Sequence, residues 1–270
     1  TPDMKRLLPK GMEGVKPFKA KKQDLRYKGE KIAEPVAYLP VFPGTNCDYD
    51  TAKAFRKAGA KVKMSVFRNL TEQDVFDSID EMKRNIDECQ ILMFCGGFSA
   101  GDEPDGSGKF IANVLNNEKI AAAVEALIAR GGLILGICNG FQALVKSGLL
   151  PYGHLGCVTK DSPTLFRNDI NRHISQIAFT RVASVNSPWL AGMNIGDTYG
   201  IPVSHGEGKF VVNEELAKEL FENGQVAFQY AEPIDEDVTM RSPNNPNGSY
   251  YAIEGIISKN GQILGKMGHS

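Results

Sequence analysis

From Pro35 onward the apolar positions of this chain alternate between two periods. VAYLPVF (36–42) is a short apolar run that closes on PGTN, a strand followed by a turn. DYDTAKAFRKAGA then places Tyr49, Ala52, Phe55 and Arg56 at helical spacing, with Gly59 as a stop signal. KVKMSVF alternates as a strand, and TEQDVFDSIDEMKRN opens on a Thr cap and continues as a helix. QILMFCGGF reads as a buried strand ending in glycines, EKIAAAVEALIARGG as a strong helix, LILGI (133–137) as a strand and FQALVKSG as a helix.

This alternation predicts an α/β fold with a doubly wound, mostly parallel sheet flanked by helices on both faces. Loops that meet ligands lie at the carboxyl ends of the strands in such sheets. Two glycine-bearing turns fall there, GGFSAGD at 96–102 and GICNG at 136–140. After residue 150 the pattern shortens to ISQIAFTRV, IPVSHGEG, QVAFQY, NNPNGSYYAIEGIIS and GQILGKMG, read as added strands completing the same domain.

Residues 1–34 break the pattern, with few periodic apolar positions and ten Lys/Arg against five Asp/Glu. That balance of +5 leaves −6 for the rest, given a net charge of −1. The segment reads as a basic linker or docking tail from an upstream region, and 35–270 as the globular domain. With 42% apolar and 23% charged residues, the composition suggests no nucleic-acid platform. No apolar run approaches the ~18 residues of a membrane span, and no apolar stretch follows the basic N-terminus as in a signal peptide. Five cysteines without paired spacing fit a reducing cytosol, so a cytoplasmic location is expected.

Within GICNG, Cys138 stands where an apolar strand meets a helix, with Gly136 and Gly140 two residues to either side. This is the form of a nucleophile elbow, in which a tight turn lifts the side chain out of the sheet. The following helix would aim its free N–H groups at the sulfur and favour the thiolate, and the Asn139 N–H could stabilise an oxyanion. Cys47, Cys89, Cys95 and Cys157 read as small apolar residues.

A thiol nucleophile needs a base, and there are four histidines. His173 lies in a polar loop and reads as a surface residue. His154 precedes Cys157 by three, but no second pair completes a metal site, so none is expected. His205, with Glu207 two residues on, is favoured by pattern alone as base plus orienter. By spacing, His269 is an ordinary residue near the end of the sequence. A phosphate loop fails at Gly108-Lys109, where Glu103 and Phe110 stand at the required positions, and at Gly208-Lys209, where Val203 and Phe210 do.

Taken together and in order, GGFSAGD, GICNGFQ, FRN, PVSHGEGKF, NNPNGS and GKMGHS resemble the class I (triad) glutamine amidotransferase domain of phosphoribosylformylglycinamidine synthases, above all the long single-chain form. The likeness spans about residues 35–270. It implies a flavodoxin-like sheet with antiparallel strands added in the C-terminal half, and Cys138 attacking the side-chain amide of glutamine. The catalytic histidine becomes His269, with Ser270 next and the acid just beyond. Gly97 and Asn139 would form the oxyanion hole, with Phe98, Gln142, His205 and Glu207 around the glutamine. The domain itself would need no cofactor. ATP and Mg²⁺ would belong to a synthetase region of the same polypeptide, and neither nucleic acid nor a membrane is an expected partner. The chain departs from the common form in having Gly-His-Ser for Pro-His-Pro-Glu, and Thr180 where Phe-Glu is frequent after the RN segment. Two other functions remain open from the residues: a cysteine hydrolase on the same architecture, and a docking domain in which Cys138 is inert.

Overall fold

A computed structural model describes residues 15–23, 29, 31–99, 106–234 and 237–269. The first half holds β1 (Val36–Val41), α1 (Asp48–Lys57), β2 (Lys61–Val66), α2 (Glu72–Glu88), β3 (Ile91–Phe94), α3 (Lys109–Leu115), α4 (Glu118–Ala129), β4 (Leu133–Ile137) and α5 (Asn139–Ser147), built as the periodicity predicts except for α3, a short helix that the sequence reading does not include. Thr71 caps α2 in a reciprocal box with Asp74, satisfying two backbone donors at that end. The short α6 (Leu149–Tyr152) follows. The second half holds β5 (Thr164–Phe166), β6 (Ile174–Val182), β7 (Thr198–His205), β8 (Lys209–Val211), α7 (Glu214–Glu222), β9 (Val226–Ala231), β10 (Ile253–Ile257) and β11 (Ile263–Lys266).

Nine strands form one sheet in the order β2-β1-β3-β4-β11-β10-β9-β6-β7. The five strands from β2 to β11 run parallel, and from β11 to β7 every pairing is antiparallel. β5 and β8 make a separate two-stranded ribbon. The α/β architecture with antiparallel strands in the C-terminal half is therefore as expected. Tyr38, Leu92, Phe94, Ile134, Phe141, Leu144, Ile253 and Ile263 are fully buried between the sheet and α2–α5.

Two further findings depart from the sequence reading. α7 forms where no helix is predicted: Asn213 caps it by accepting from the Leu216 N–H, and Ala217 and Leu220 are buried. Residues 15–23, read as part of a linker, lie along the domain. Ala20 N–H donates to Ala183 O at 2.9 Å, Phe18 N–H donates to Gln229 Oε1, and the Phe18 ring meets Phe221 edge-on at 4.9 Å. Residues 1–14, 24–28 and 30 of that segment lie outside the described residues.

Candidate active site

β4 ends at Ile137, and Cys138 begins α5 with φ 52° and ψ −106°. A non-glycine residue rarely adopts this conformation, and where it persists the surroundings must enforce it. Two close approaches do so. A Cβ at Gly140 would lie 2.1 Å from Phe94 O, and one at Gly136 would lie 2.6 Å from Leu144 Cδ1 and 2.8 Å from the Gly140 backbone. The glycines let α5 descend onto β3 and β4, and the turn between them has one available path. The Cys138 N–H donates to Lys266 O at 2.9 Å, tying the elbow to β11. Its sulfur is buried, 4% exposed, with Sγ 3.6 Å from Ser204 O.

Next along the same sheet edge is the turn after β3. Asn46 N–H donates to Gly96 O and Phe98 N–H to Gly44 O, a bridge that clamps Gly97 against Thr45. Gly97 has φ 145°, and a Cβ there would lie 2.5 Å from Gly44 O, so only glycine fits. The Phe98 N–H is consumed by this bridge. The backbone N–H groups of Gly97 and Asn139 are not used by it. The Asn139 side chain joins the two turns, accepting from the Ser99 N–H at 3.2 Å and donating to Gln142 Oε1 at 3.0 Å. Residues 100–102 of the GGFSAGD motif lie outside the described residues.

His269 stands over Gly96: a Cβ there would meet its Cε1 at 2.7 Å. Its N–H donates to Pro202 O at 2.9 Å, its Nδ1 lies 3.7 Å from Cys47 Sγ, and its Nε2 is buried with no partner among the described residues. Lys266 pairs with Ile137 across β11 and β4, so the strand that carries His269 runs beside the strand that carries Cys138. Burial, and secondarily the charge of Lys266, lower the His269 pKa. Ser270 lies outside the described residues.

His205 occupies a different position. It is fully buried, its ring lies flat on Gly208, and Nδ1 is 3.2 Å from Asn168 Oδ1. Burial first, then the charges of His173 and His269, push its pKa down to about 3. Glu207 does not face it: the carboxylate accepts the Ser107 N–H at 3.0 Å, on the other side of the loop. The base-plus-orienter arrangement suggested by spacing is thus not assembled. Gln142 is buried with both ends of its amide used, Nε2 donating to Glu207 O at 2.6 Å. It braces the loop that carries Glu207.

The six motifs converge. Asn168, from FRN, is held by donating to His205 O and Arg172 O, and it accepts from the Gly208 N–H. Asn247 and Ser249, from NNPNGS, donate to Gly208 O. Asn168 has no role in the sequence reading, and its place inside a matched motif is the available signal. His173 is exposed, as read, yet it sits at the rim: Nε2 is 2.9 Å from Ser204 Oγ, and its ring centre is 6.0 Å from that of Phe98. His154 pairs with Glu125 at the surface, away from Cys138. Among the described residues no three His, Cys, Asp or Glu side chains group as a metal site, and no helix is long and apolar enough to cross a membrane.

Comparison with known proteins identifies the family. The model of the CobB/CobQ-like glutamine amidotransferase domain matches residues 34–270. The chain belongs to that family. As a glutamine amidotransferase it is 36% identical over 228 residues to the phosphoribosylformylglycinamidine synthase subunit PurQ of Methanococcus maripaludis, covering 84% of this chain and 78% of the relative. The PurQ subunit of Gloeobacter violaceus is 32% identical, with 85% of each chain covered. Among solved structures, PurLQS from Thermotoga maritima matches with a TM-score of 0.62 and 26% identity over 87% of each chain. The two PurQ relatives are named as subunits, whereas the motif resemblance points to a single long chain.

Proposed function

We propose that this domain is the glutaminase of a phosphoribosylformylglycinamidine synthase, acting through a Cys138 thioester. The observation that carries the reading is the Cys138 elbow, a strained residue at the start of a helix beside a histidine-bearing strand end. His269 removes the thiol proton, and Sγ attacks the carboxamide carbon of glutamine. The N–H groups of Gly97 and Asn139 receive the oxyanion. Return of the proton to the leaving nitrogen expels ammonia and leaves a γ-glutamyl thioester, which water, deprotonated by His269, converts to glutamate. Phe98, Gln142, His205 and Glu207 shape the glutamine pocket, Gln142 and Glu207 through the loops they tie together.

Ammonia made here serves an ATP- and Mg²⁺-dependent synthetase that amidates formylglycinamide ribonucleotide in purine synthesis, in the cytoplasm. Free ammonia is largely protonated and non-nucleophilic at neutral pH, so production beside the consumer has a chemical rationale. The curated relatives and the PurLQS structure support this partner by name. The sequence reading joins the synthetase to this domain in one polypeptide; the size of the cellular protein detected by an antibody to this domain tests that directly.

The function itself is tested with a glutamine-mimicking electrophile and mapping of the modified residue by mass spectrometry. Labelling of Cys138 that glutamine blocks is expected. Labelling that glutamine cannot block would indicate another cysteine hydrolase, and no preference for Cys138 would indicate a non-catalytic domain.

A further inference from the structure

Behind His269 lies a buried carboxylate that the chemistry above does not use. Glu254, on β10, is 1% exposed, and its Oε1 accepts the Gly268 N–H at 2.7 Å. Its own carbonyl accepts the Met267 N–H at 3.3 Å, so one residue accepts the N–H groups of both residues that precede His269. Oε2 has no hydrogen-bond partner among the described residues. Burying a carboxylate costs several kcal/mol unless nearby charge and hydrogen bonds offset it. Lys266, itself buried and one step along β11, supplies the nearby charge.

Gly268 explains why such a clamp is needed. A Cβ at this position would lie 1.9 Å from Ile201 Cδ1 and 3.0 Å from Glu254 Oε1, so a larger residue enters only if the end of the Ile201 side chain moves aside. Glycine is the residue least able to restrict its own backbone. The histidine that follows also borders an apolar cleft of about 550 Å³, lined in part by Cys47, Phe55, Ile137 and Trp189, into which an unrestrained ring could turn. Outside contacts must therefore fix the turn: Pro202 O accepts the backbone N–H of His269 itself, and the Glu254 carboxylate accepts that of the glycine before it.

We propose that Glu254 is a positioning residue for the glutaminase reaction, holding the Met267–Gly268 turn so that the His269 imidazole stays at the Cys138 edge. This rests on His269 being the base. Misplacing a reacting group by about 1 Å can cost on the order of 100-fold in rate, so the effect should appear in turnover and not in glutamine affinity.

The test measures Cys138 labelling by a glutamine-mimicking electrophile and steady-state glutaminase activity in the full protein with its synthetase. Glu254→Met keeps the volume and removes the acceptor, while Glu254→Gln keeps an acceptor. Expected are a labelling rate and kcat about 10- to 100-fold lower in Glu254→Met with KM for glutamine within about twofold, and recovery of most of the rate in Glu254→Gln. In a His269→Ala background, Glu254→Met should add nothing further, because both changes act through one ring. A wild-type rate in Glu254→Met, or a full additional loss in the double variant, overturns the proposal and leaves the role of His269 intact. An unchanged rate in His269→Ala alone overturns that role and this proposal with it. If Glu254→Met does not fold, Glu254→Met with Lys266→Met removes the charge left behind, and the same comparison is made in that pair.

Discussion

His205 Nδ1 lies 3.2 Å from Asn168 Oδ1, and Asn168 cannot turn its amide over, because its Nδ2 already donates to His205 O and Arg172 O. The oxygen therefore faces the ring, Nδ1 carries the proton, and Nε2 is a bare acceptor with no partner among the described residues. A buried imidazole with a pKa near 3 is a poor proton acceptor at neutral pH. His269, lowered by burial but only partly covered, is the better base. His205→Gln should accordingly leave the intrinsic reactivity of Cys138 toward a small thiol reagent nearly unchanged. His269→Ala should reduce it about 100-fold or more. A large loss confined to His205→Gln would reverse the assignment.

The same burial makes stability depend on pH. The folded pKa of His205 is depressed, so between about pH 3 and the unfolded value of about 6.5 the unfolded chain binds a proton that the folded chain does not. The contribution is fully present above pH 6.5 and is lost as pH falls below it. From pH 7 to pH 5 the loss should be about 2 kcal/mol. Urea unfolding at the two pH values, with His205→Gln as reference, measures this; equal slopes in both proteins would contradict it.

Glu207 offers a sharper contrast. If it oriented a catalytic histidine, replacing its charge while keeping its shape should cost about 10⁴ in turnover. Here it accepts a backbone N–H from Ser107, a role an amide oxygen can also fill. Glu207→Gln should keep kcat within about tenfold of wild type, and Glu207→Ala should mainly raise KM for glutamine as the 106–108 loop loosens.

How much of this was legible follows from where periodicity operates. Most strands and helices from Val36 to Ser147 carry strong apolar periods and fold as read; α3, only seven residues long, is too short to show one. Phe18 and Ala20 dock on the domain without any period to announce them, because two alternate apolar side chains suffice for one strip of backbone. The elbow was visible because its constraint is local, two glycines and a cysteine in five residues. The histidine assignment was not, because adjacency in sequence does not fix direction: Glu207 is two residues from His205 yet points to Ser107, while the orienting group, Asn168, is 37 positions away. Only the matched motifs brought His269 forward.

The elbow also sets a limit on Gly140. Its missing Cβ would overlap Phe94 O at 2.1 Å, a backbone atom of a central strand that cannot yield. Gly140→Ala must push α5 away from β3, and overpacking of this kind costs about 1–3 kcal/mol. The shift also moves the Asn139 N–H and Cys138 relative to Gly97, so the damage to catalysis should exceed the damage to folding. Circular dichroism should show a folded protein with a lowered melting temperature, and labelling of Cys138 by the glutamine mimic should fall by about 100-fold. The exposed Cys157 serves as the internal control, since its reaction with iodoacetamide depends on neither. Labelling of Cys138 at the wild-type rate in a destabilised Gly140→Ala would mean that the tight approach of α5 to β3 supports packing alone and that the turn geometry does not govern the nucleophile.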